Sequence, residues 1–185
     1  MVVMGIDPSI NCTGICIYDT LTGNNTYYMI VGKATKKMLA FKHEYIHIVH
    51  YNKQTYTNDD YSVKENKKTE NIVVICSSIK DIILWHNPDL IYMEGISYGS
   101  TGSAALVDLS GLNYCIRMTL IDCNIPYLIV SPTSVKKFAV GNGGAEKDVM
   151  IASWKKLDKN IGAITDLKLD DLADSYFIAH YQNDN

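Results

Sequence analysis

Three short apolar runs fill most of the first 32 residues: VVMGID (2–7), TGICIYDT (13–20) and NNTYYMIVG (24–32). So little chain separates them that neighbouring strands must run antiparallel, since a parallel return needs a dozen residues or more. TGNN (22–25) supplies turn chemistry for one of the hairpins. The chain is therefore expected to open with an antiparallel three-strand meander.

The rhythm then changes. TENIVVICSSIKDIILWHN (69–87) carries Ile72, Ile75, Ile79, Ile82 and Ile83 at helical spacing, with Thr69 as the candidate N-cap and Pro88 beyond the end. DLIYMEG (89–95) is a short strand, SAALVDLSGLNYCIRMTLIDCN (103–124) a long helix, and IPYLIVSP (125–132) another strand. SPTSVKKFAVG (131–141) has Pro132 where a helix tolerates it, and AEKDVMIASWKKL (145–157) is a further helix after the loop GNGG. Hairpins followed by alternating helix and strand predict an α/β domain: a mixed five-stranded sheet with helices on both faces. The polar segment 33–70 is expected to be a loop or insertion within a single domain spanning 1–185, although the alternation in 43–51 also suits a strand.

A chain of 185 residues, 47% hydrophobic, is long enough to bury one substantial core. It has no uninterrupted apolar run of about eighteen residues, and MVVMGIDPS reads as a strand rather than a signal peptide. The expectation is a protein without a membrane partner, in the cytoplasm, or the host cytoplasm if a phage encodes it. The five cysteines (12, 16, 76, 115, 123) form no CxxC pair, which points to small buried thiols rather than a disulfide frame or zinc knot. Net charge is −3, yet the charge is segregated. Residues 33–68 hold eight Lys against four acids and 131–168 seven Lys against four, whereas 169–185 hold four acids and no base. That pattern fits a surface gripping phosphates around an acidic centre; ordinary scatter on a solvated surface gives similar counts.

The acids themselves are oddly placed. Asp7 and Glu94 each close an apolar strand. KLDDLADSYFIAH (168–180) reads as the last helix, over 169–181, and sets Asp171 and Asp174 one turn apart on one face. Asp170 points about 100° away and suits the helix N-terminus, where negative charge is favoured. Asp174 sits inside LADSYFIA, where an unpaired buried carboxylate is costly and needs a cation. Hard divalent metals meet that need. Asp7, Glu94, Asp171 and Asp174 together could hold two such ions about 4 Å apart for attack on a phosphodiester.

GIDPSINCTG near the start, IYMEG at mid-chain, SPTSVKKFAVGNGGAEKDVM (131–150) and LDDLADSYFIAH, in that order, resemble the RuvC family of Holliday-junction resolvases, within the ribonuclease-H-like fold. The matching motifs cover most of 1–32 and 89–181. The resemblance implies a homodimeric endonuclease, dependent on two Mg2+ ions per site with Mn2+ as a possible substitute, that makes paired nicks in branched DNA at a four-way junction. It puts the catalytic and metal-binding acids on Asp7, Glu94, Asp171 and Asp174. It also puts DNA-backbone contacts on Lys136 and Lys147, with Lys137 beside them. Some members carry a stacking aromatic three residues after the mid-chain acid. Here Ser97 stands there and Tyr98 follows, so Tyr98 is the candidate to stack on a junction base. The compact, Tyr- and Lys-rich chain has a phage-like character. The helix at 103–121 is the candidate dimer contact; full burial is its other reading.

Other readings remain open on sequence. HEYIH (43–47) matches the zinc-protease pattern HExxH, but its flanks alternate like a strand and no third ligand is evident. DPSINCTG resembles the phosphate loop of actin-like or sugar-kinase ATPases, which need a second similar domain that 185 residues cannot supply. A broader flap and fork nuclease, and a junction-binding protein that does not cleave, complete the alternatives.

Overall fold

A computed structural model describes residues 1–96, 103–161, 164, 167 and 169–181. The opening meander is β1 (Val2–Asp7), β2 (Cys12–Asp19) and β3 (Asn25–Val31), antiparallel throughout, with Gly23 at φ 75° in the second turn. The segment 33–70, read from sequence as loop or insertion, is built of regular elements over much of its length. It contains α1 (Lys36–Ala40) and β4 (Ile46–His50), and from Tyr61 it belongs to α2 (Tyr61–His86). The α2 helix starts nine residues before the predicted position because Asp60, not Thr69, caps it, accepting from the Val63 amide at 3.0 Å. Thr69 lies inside the helix and donates to the Glu65 carbonyl.

The remaining elements follow the expected order: β5 (Leu90–Glu94), α3 (Ser103–Asp122), β6 (Tyr127–Val130), α4 (Pro132–Val140), α5 (Lys147–Leu157) and α6 (Asp170–Ala179). The sheet has six strands rather than five, in the order β4-β3-β2-β1-β5-β6. The additional strand is β4, which lies parallel to β3, as β5 lies parallel to β1 and β6 to β5. HEYIH therefore ends in an edge strand. His47 stacks against the Tyr28 ring at 5.0 Å between centroids, and the helix that a zinc-protease motif requires is not formed.

Strand alternation sends side chains to two cores, one on each sheet face. On one side Met4, Ile6, Ile15 and Ile17 meet Ile75, Ile79 and Ile83 of α2 and Leu112, Ile116 and Leu120 of α3. On the other, Tyr27, Met29 and Val31 meet Trp154 of α5 and Leu172, Tyr176 and Phe177 of α6. Ala104–Asp122 in α3 is long and apolar enough by composition to cross a bilayer, but in the fold it lays one face on α2 and the sheet.

Helix α6 lies directly on β1 and β2, and two glycines make that possible. A methyl group at Gly5 would overlap the Ala179 amide and the Ser175 carbonyl; at Gly14 it would overlap the Asp171 carbonyl. Both obstacles are backbone, which cannot swing aside. Gly14 also pairs in register with Asp7, so the helix backbone at Asp171 is pressed against the strand neighbour of Asp7. Gly5→Ala and Gly14→Ala are expected to lose about 3 kcal/mol or more in urea unfolding, as overpacking against rigid backbone does. Gly111→Ala, on α3 with its nearest neighbour the Ile72 methyl at 3.7 Å, should instead gain about 0.5–1 kcal/mol from helix propensity.

Candidate active site

The loop after β1 is short and braced. Pro8 ends the strand, and the buried Thr13 hydroxyl donates to the Ser9 carbonyl at 2.8 Å while accepting from the Ser9 amide at 3.2 Å. This fixes the strand end from which Asp7 projects. Glu94 occupies the equivalent end of the adjacent parallel strand β5. A buried Asn113 on α3 donates to the Glu94 carbonyl at 3.1 Å and ties the helix to that point. Thr13 and Asn113 are positioning residues that the sequence reading missed. A polar residue with no motif around it gives no signal until the fold brings it to its partner.

The four acids converge. The Asp7 carboxyl donates a hydrogen bond to Glu94, and the charges of Glu94, Asp174 and Asp171 all act on it. Burial first, then those charges in that order, hold its pKa well above the usual aspartate range. Burial and Asp174 push Glu94 up to about 7, opposed by the hydrogen bond from Asp7 and by Lys136. Burial and Asp171 push Asp174 up to about 6, opposed by Lys136 and Lys147. The raised values have one physical cause: two adjacent anions withdrawn from water cannot both ionise cheaply. Among the described residues these side chains do not form a closed group of three ready-made metal ligands.

The predicted lysines divide. Lys136 on α4 is half-buried, and its charge reaches both Glu94 and Asp174. Lys147, at the start of α5, pairs with Asp170 in the first turn of α6, and its charge also reaches Asp171 and Asp174. Asp170 thus sits at the helix N-terminus as expected and holds one lysine at the rim. Lys137 is exposed in the last turn of α4, rotated about 100° from Lys136, and is not among the charges acting on the acids. Tyr98 and Ser97 lie outside the described residues. A thiol joins the cluster as well: Cys12 donates to the Asp171 carboxylate, and burial followed by that carboxylate raises its pKa. All five cysteines are free.

A mixed sheet that opens with an antiparallel meander, bears helices on both faces and gathers acids at the ends of its first and fifth strands defines a ribonuclease-H-like α/β fold. Comparisons with known proteins carry this further. The family model described as crossover junction endodeoxyribonuclease RuvC matches residues 52–180. The chain belongs to the RuvC family, the crossover junction endodeoxyribonucleases. The fold is similar to that of Thermus thermophilus RuvC, at TM-score 0.60 and 17% identity over 97% of this chain and 91% of that one. It is also similar to the same organism's RuvC in complex with a Holliday junction substrate, at TM-score 0.63 and 16% identity over 97% and 90%. The yeast mitochondrial Holliday junction resolvase Ydc2 matches at TM-score 0.55 and 16% identity over 96% and 75%. A search of curated protein sequences returns no match.

The raised carboxyls have a direct consequence for stability. Asp and Glu have unfolded values near 3.8 and 4.5, below the folded ones, so between about pH 4 and 7 the folded chain binds more protons than the unfolded chain. In chelator-containing buffer, stability should therefore fall as pH rises through that window. Asp7→Asn, which removes one of the repelling charges, should raise the melting temperature at pH 8 by about 3 °C, the shift that ~1 kcal/mol gives in a domain of this size. Scanning calorimetry at pH 5 and pH 8 reads both effects.

Proposed function

We propose that the chain resolves four-way DNA junctions by paired nicks, with Asp7, Glu94, Asp171 and Asp174 as its catalytic acids. The observation that supports this most directly is the convergence of the buried Asp7 and the half-buried Glu94 and Asp174, from β1, β5 and α6, into one mutually repelling carboxyl cluster. A structure gains nothing from such repulsion. The cluster makes sense as a receptor for cations, and its hard oxygen donors suit Mg2+, with Mn2+ as a substitute.

The four acids would hold two such ions, which supply positive charge to the developing oxyanions and lower the pKa of the attacking water. The protein's own part is positioning. Asp7 and Glu94 sit on adjacent central strands whose hydrogen bonds fix their separation, while Asp171 and Asp174 are presented one turn apart by α6. Lys136 brings a fixed ammonium beside Glu94 and Asp174, where it counters phosphate charge without reading sequence. Lys147, held by Asp170, adds a second cation at the rim. The free cysteines are in keeping with a reducing cytoplasm.

Symmetric nicks require two symmetric sites, which a second copy of the chain provides. Helix α3 has the surface for it. Leu112, Ile116 and Leu120 face the core, while Val107, Tyr114, Met118 and Ile121 lie exposed at spacings of seven, four and three. Such a stripe matches the seam of a helix pair and is otherwise an unexplained apolar face.

Asp7→Asn and Glu94→Gln should each reduce cutting of a mobile four-way junction by about three orders of magnitude, while gel-shift binding persists. Chelation should abolish cutting, and added Mg2+ should restore it. Wild-type cutting by either variant would remove these acids from the mechanism. Lys136→Ala should weaken junction binding uniformly across sequences and lower the salt slope by about one. The double variant Met118→Lys with Ile121→Lys should sediment as a monomer and lose the coupling of the two nicks. A flap and a linear duplex assayed alongside define the range of branched substrates.

A further inference from the structure

Helices α2 and α3 each precede a strand of one parallel pair, β5 and β6, and pack side by side with their chains running the same way. Their contacts therefore advance together along both helices. The Lys68 ammonium meets the Asp108 carboxylate at 3.0 Å. One turn further, the Ile72 methyl lies against Gly111, where an added Cβ would be 3.7 Å from it. The next turn brings Cys76 to face Cys115, and the two thiols act on each other electrostatically. Positions 68, 72 and 76 form one row of α2 and positions 108, 111 and 115 one row of α3, at the three- and four-residue spacings that share a helix face.

Gly111 governs how close the helices come. The distance between two helix axes depends on the side chains at the contact, and the glycine one turn before Cys115 has none. Thr119 touches both cysteines. Its hydroxyl lies in hydrogen-bond contact with the Cys76 thiol and donates to the Cys115 carbonyl at 3.0 Å. Burial pushes the Cys76 thiol up to about 11; Thr119 opposes this and Cys115 adds to it. Cys76 and Cys115 are free and half-buried, so a small solute reaches them, whereas Cys12 and Cys16 are buried. Cys123, also half-buried, lies two turns beyond Cys115, about 12 Å along the axis. A disulfide needs Cα atoms within about 7 Å, which leaves Cys123 out of reach of Cys115.

We infer that Cys76 and Cys115 are an oxidation site: a dithiol that closes to a disulfide and staples α2 to α3 when a peroxide supplies the oxidising equivalents. The inference goes beyond the nuclease reading and does not rest on it. The peroxide O–O bond breaks as the Cys115 sulfur takes one oxygen, giving a sulfenic acid and releasing water. The Cys76 sulfur then attacks that sulfur. The S–S bond forms, and the sulfenic hydroxyl leaves with the Cys76 proton as a second water. Two thiols are oxidised and one peroxide is reduced. Cys76 takes the second role because the first attack needs a thiolate, which burial disfavours at Cys76. A dithiol reductant reverses the link. The staple restricts the unfolded chain between the two cysteines, which includes β5. Asn113, two positions before Cys115, ties α3 to the Glu94 carbonyl, so the staple also secures the helix that braces the acidic centre.

The test exposes the reduced, full-length protein to hydrogen peroxide, removes the oxidant with catalase and counts thiols after denaturation. The count should fall from five to three, and the chain should run as a single copy on a non-reducing gel. Trypsin, cutting after Lys68, Lys80 and Arg117, places Cys76, Cys115 and Cys123 in three different peptides. Mass spectrometry should find the Cys76 and Cys115 peptides joined, and dithiothreitol should part them. Cys76→Ser and Cys115→Ser should each abolish the joined species, while Cys123→Ser should leave it. The oxidised wild type should melt about 5 °C above the reduced form. Sulfenic or sulfinic acid on single cysteines without a joined pair, a link to Cys123, or a link between two chains would each overturn the assignment. So would a joined pair that melts at or below the reduced protein, since such a link is strained and staples nothing. The joined peptides are read in the wild type, so the test stands even if a serine variant fails to fold.

Discussion

The arrangement depends on how closely α6 approaches the sheet. Helices ordinarily sit about 10 Å from their neighbours, kept there by side chains. Here Gly5 and Gly14 remove the side chains at two points, and the helix backbone at Ser175, Ala179 and Asp171 occupies the space. The same contact that builds the core carries Asp171 and Asp174 to Asp7. Packing and site geometry are therefore one constraint. A residue with any Cβ at position 14 would push away the turn that bears an acid.

Two buried carboxylate sites lie on the same face of the sheet and are treated in opposite ways. Asp158, after α5, accepts from the Tyr27 hydroxyl at 2.6 Å, the Asn25 amide at 3.0 Å and the backbone amide of Asn160 at 3.0 Å. Trp154 donates to the Tyr27 hydroxyl at 3.0 Å and completes the set. That anion is satisfied by donors and serves to fasten α5 to β3, as buried charges generally must be. At the other site, Asp7 and Glu94 have each other, and their neighbours are Asp171 and Asp174. The chain evidently has the means to satisfy a buried carboxylate with its own donors. At Asp7 the acting charges are other carboxylates instead, and burial with their repulsion holds its pKa well above the usual aspartate range.

The readability of the sequence followed the strength of local signal. The meander, β5, α3 and α6 could be read because each repeats apolar residues at its own period, and Asp7, Glu94 and Asp174 stood out as acids ending or interrupting such runs. The start of α2 could not, because Tyr61 and Val63 are exposed there and the first turns bury little, leaving only the Asp60 cap as a cue. β4 was ambiguous for a related reason. It is an edge strand with a single buried residue, Ile46, and its parallel pairing to β3 is decided by the intervening α1. The roles of Gly5 and Gly14 were invisible because they describe the distance between elements remote in sequence. Thr13 and Asn113 share that difficulty.

The basic character of 33–68 gains meaning from the sheet order. β4 runs parallel to β3, and β3 runs antiparallel to β2, so the chain leaving β4 arrives beside the start of β2. That is the end of the sheet where β1 delivers Asp7. Lys53 consequently reaches Ile10 and Asn11, in the loop after Asp7, although it lies 43 and 42 positions from them in sequence. From the opposite flank, Lys136 and Lys147 approach the same acids on α4 and α5. An acidic centre alone would repel a polyanion; lysines converging on it from both sides make the approach of a phosphate backbone electrostatically possible.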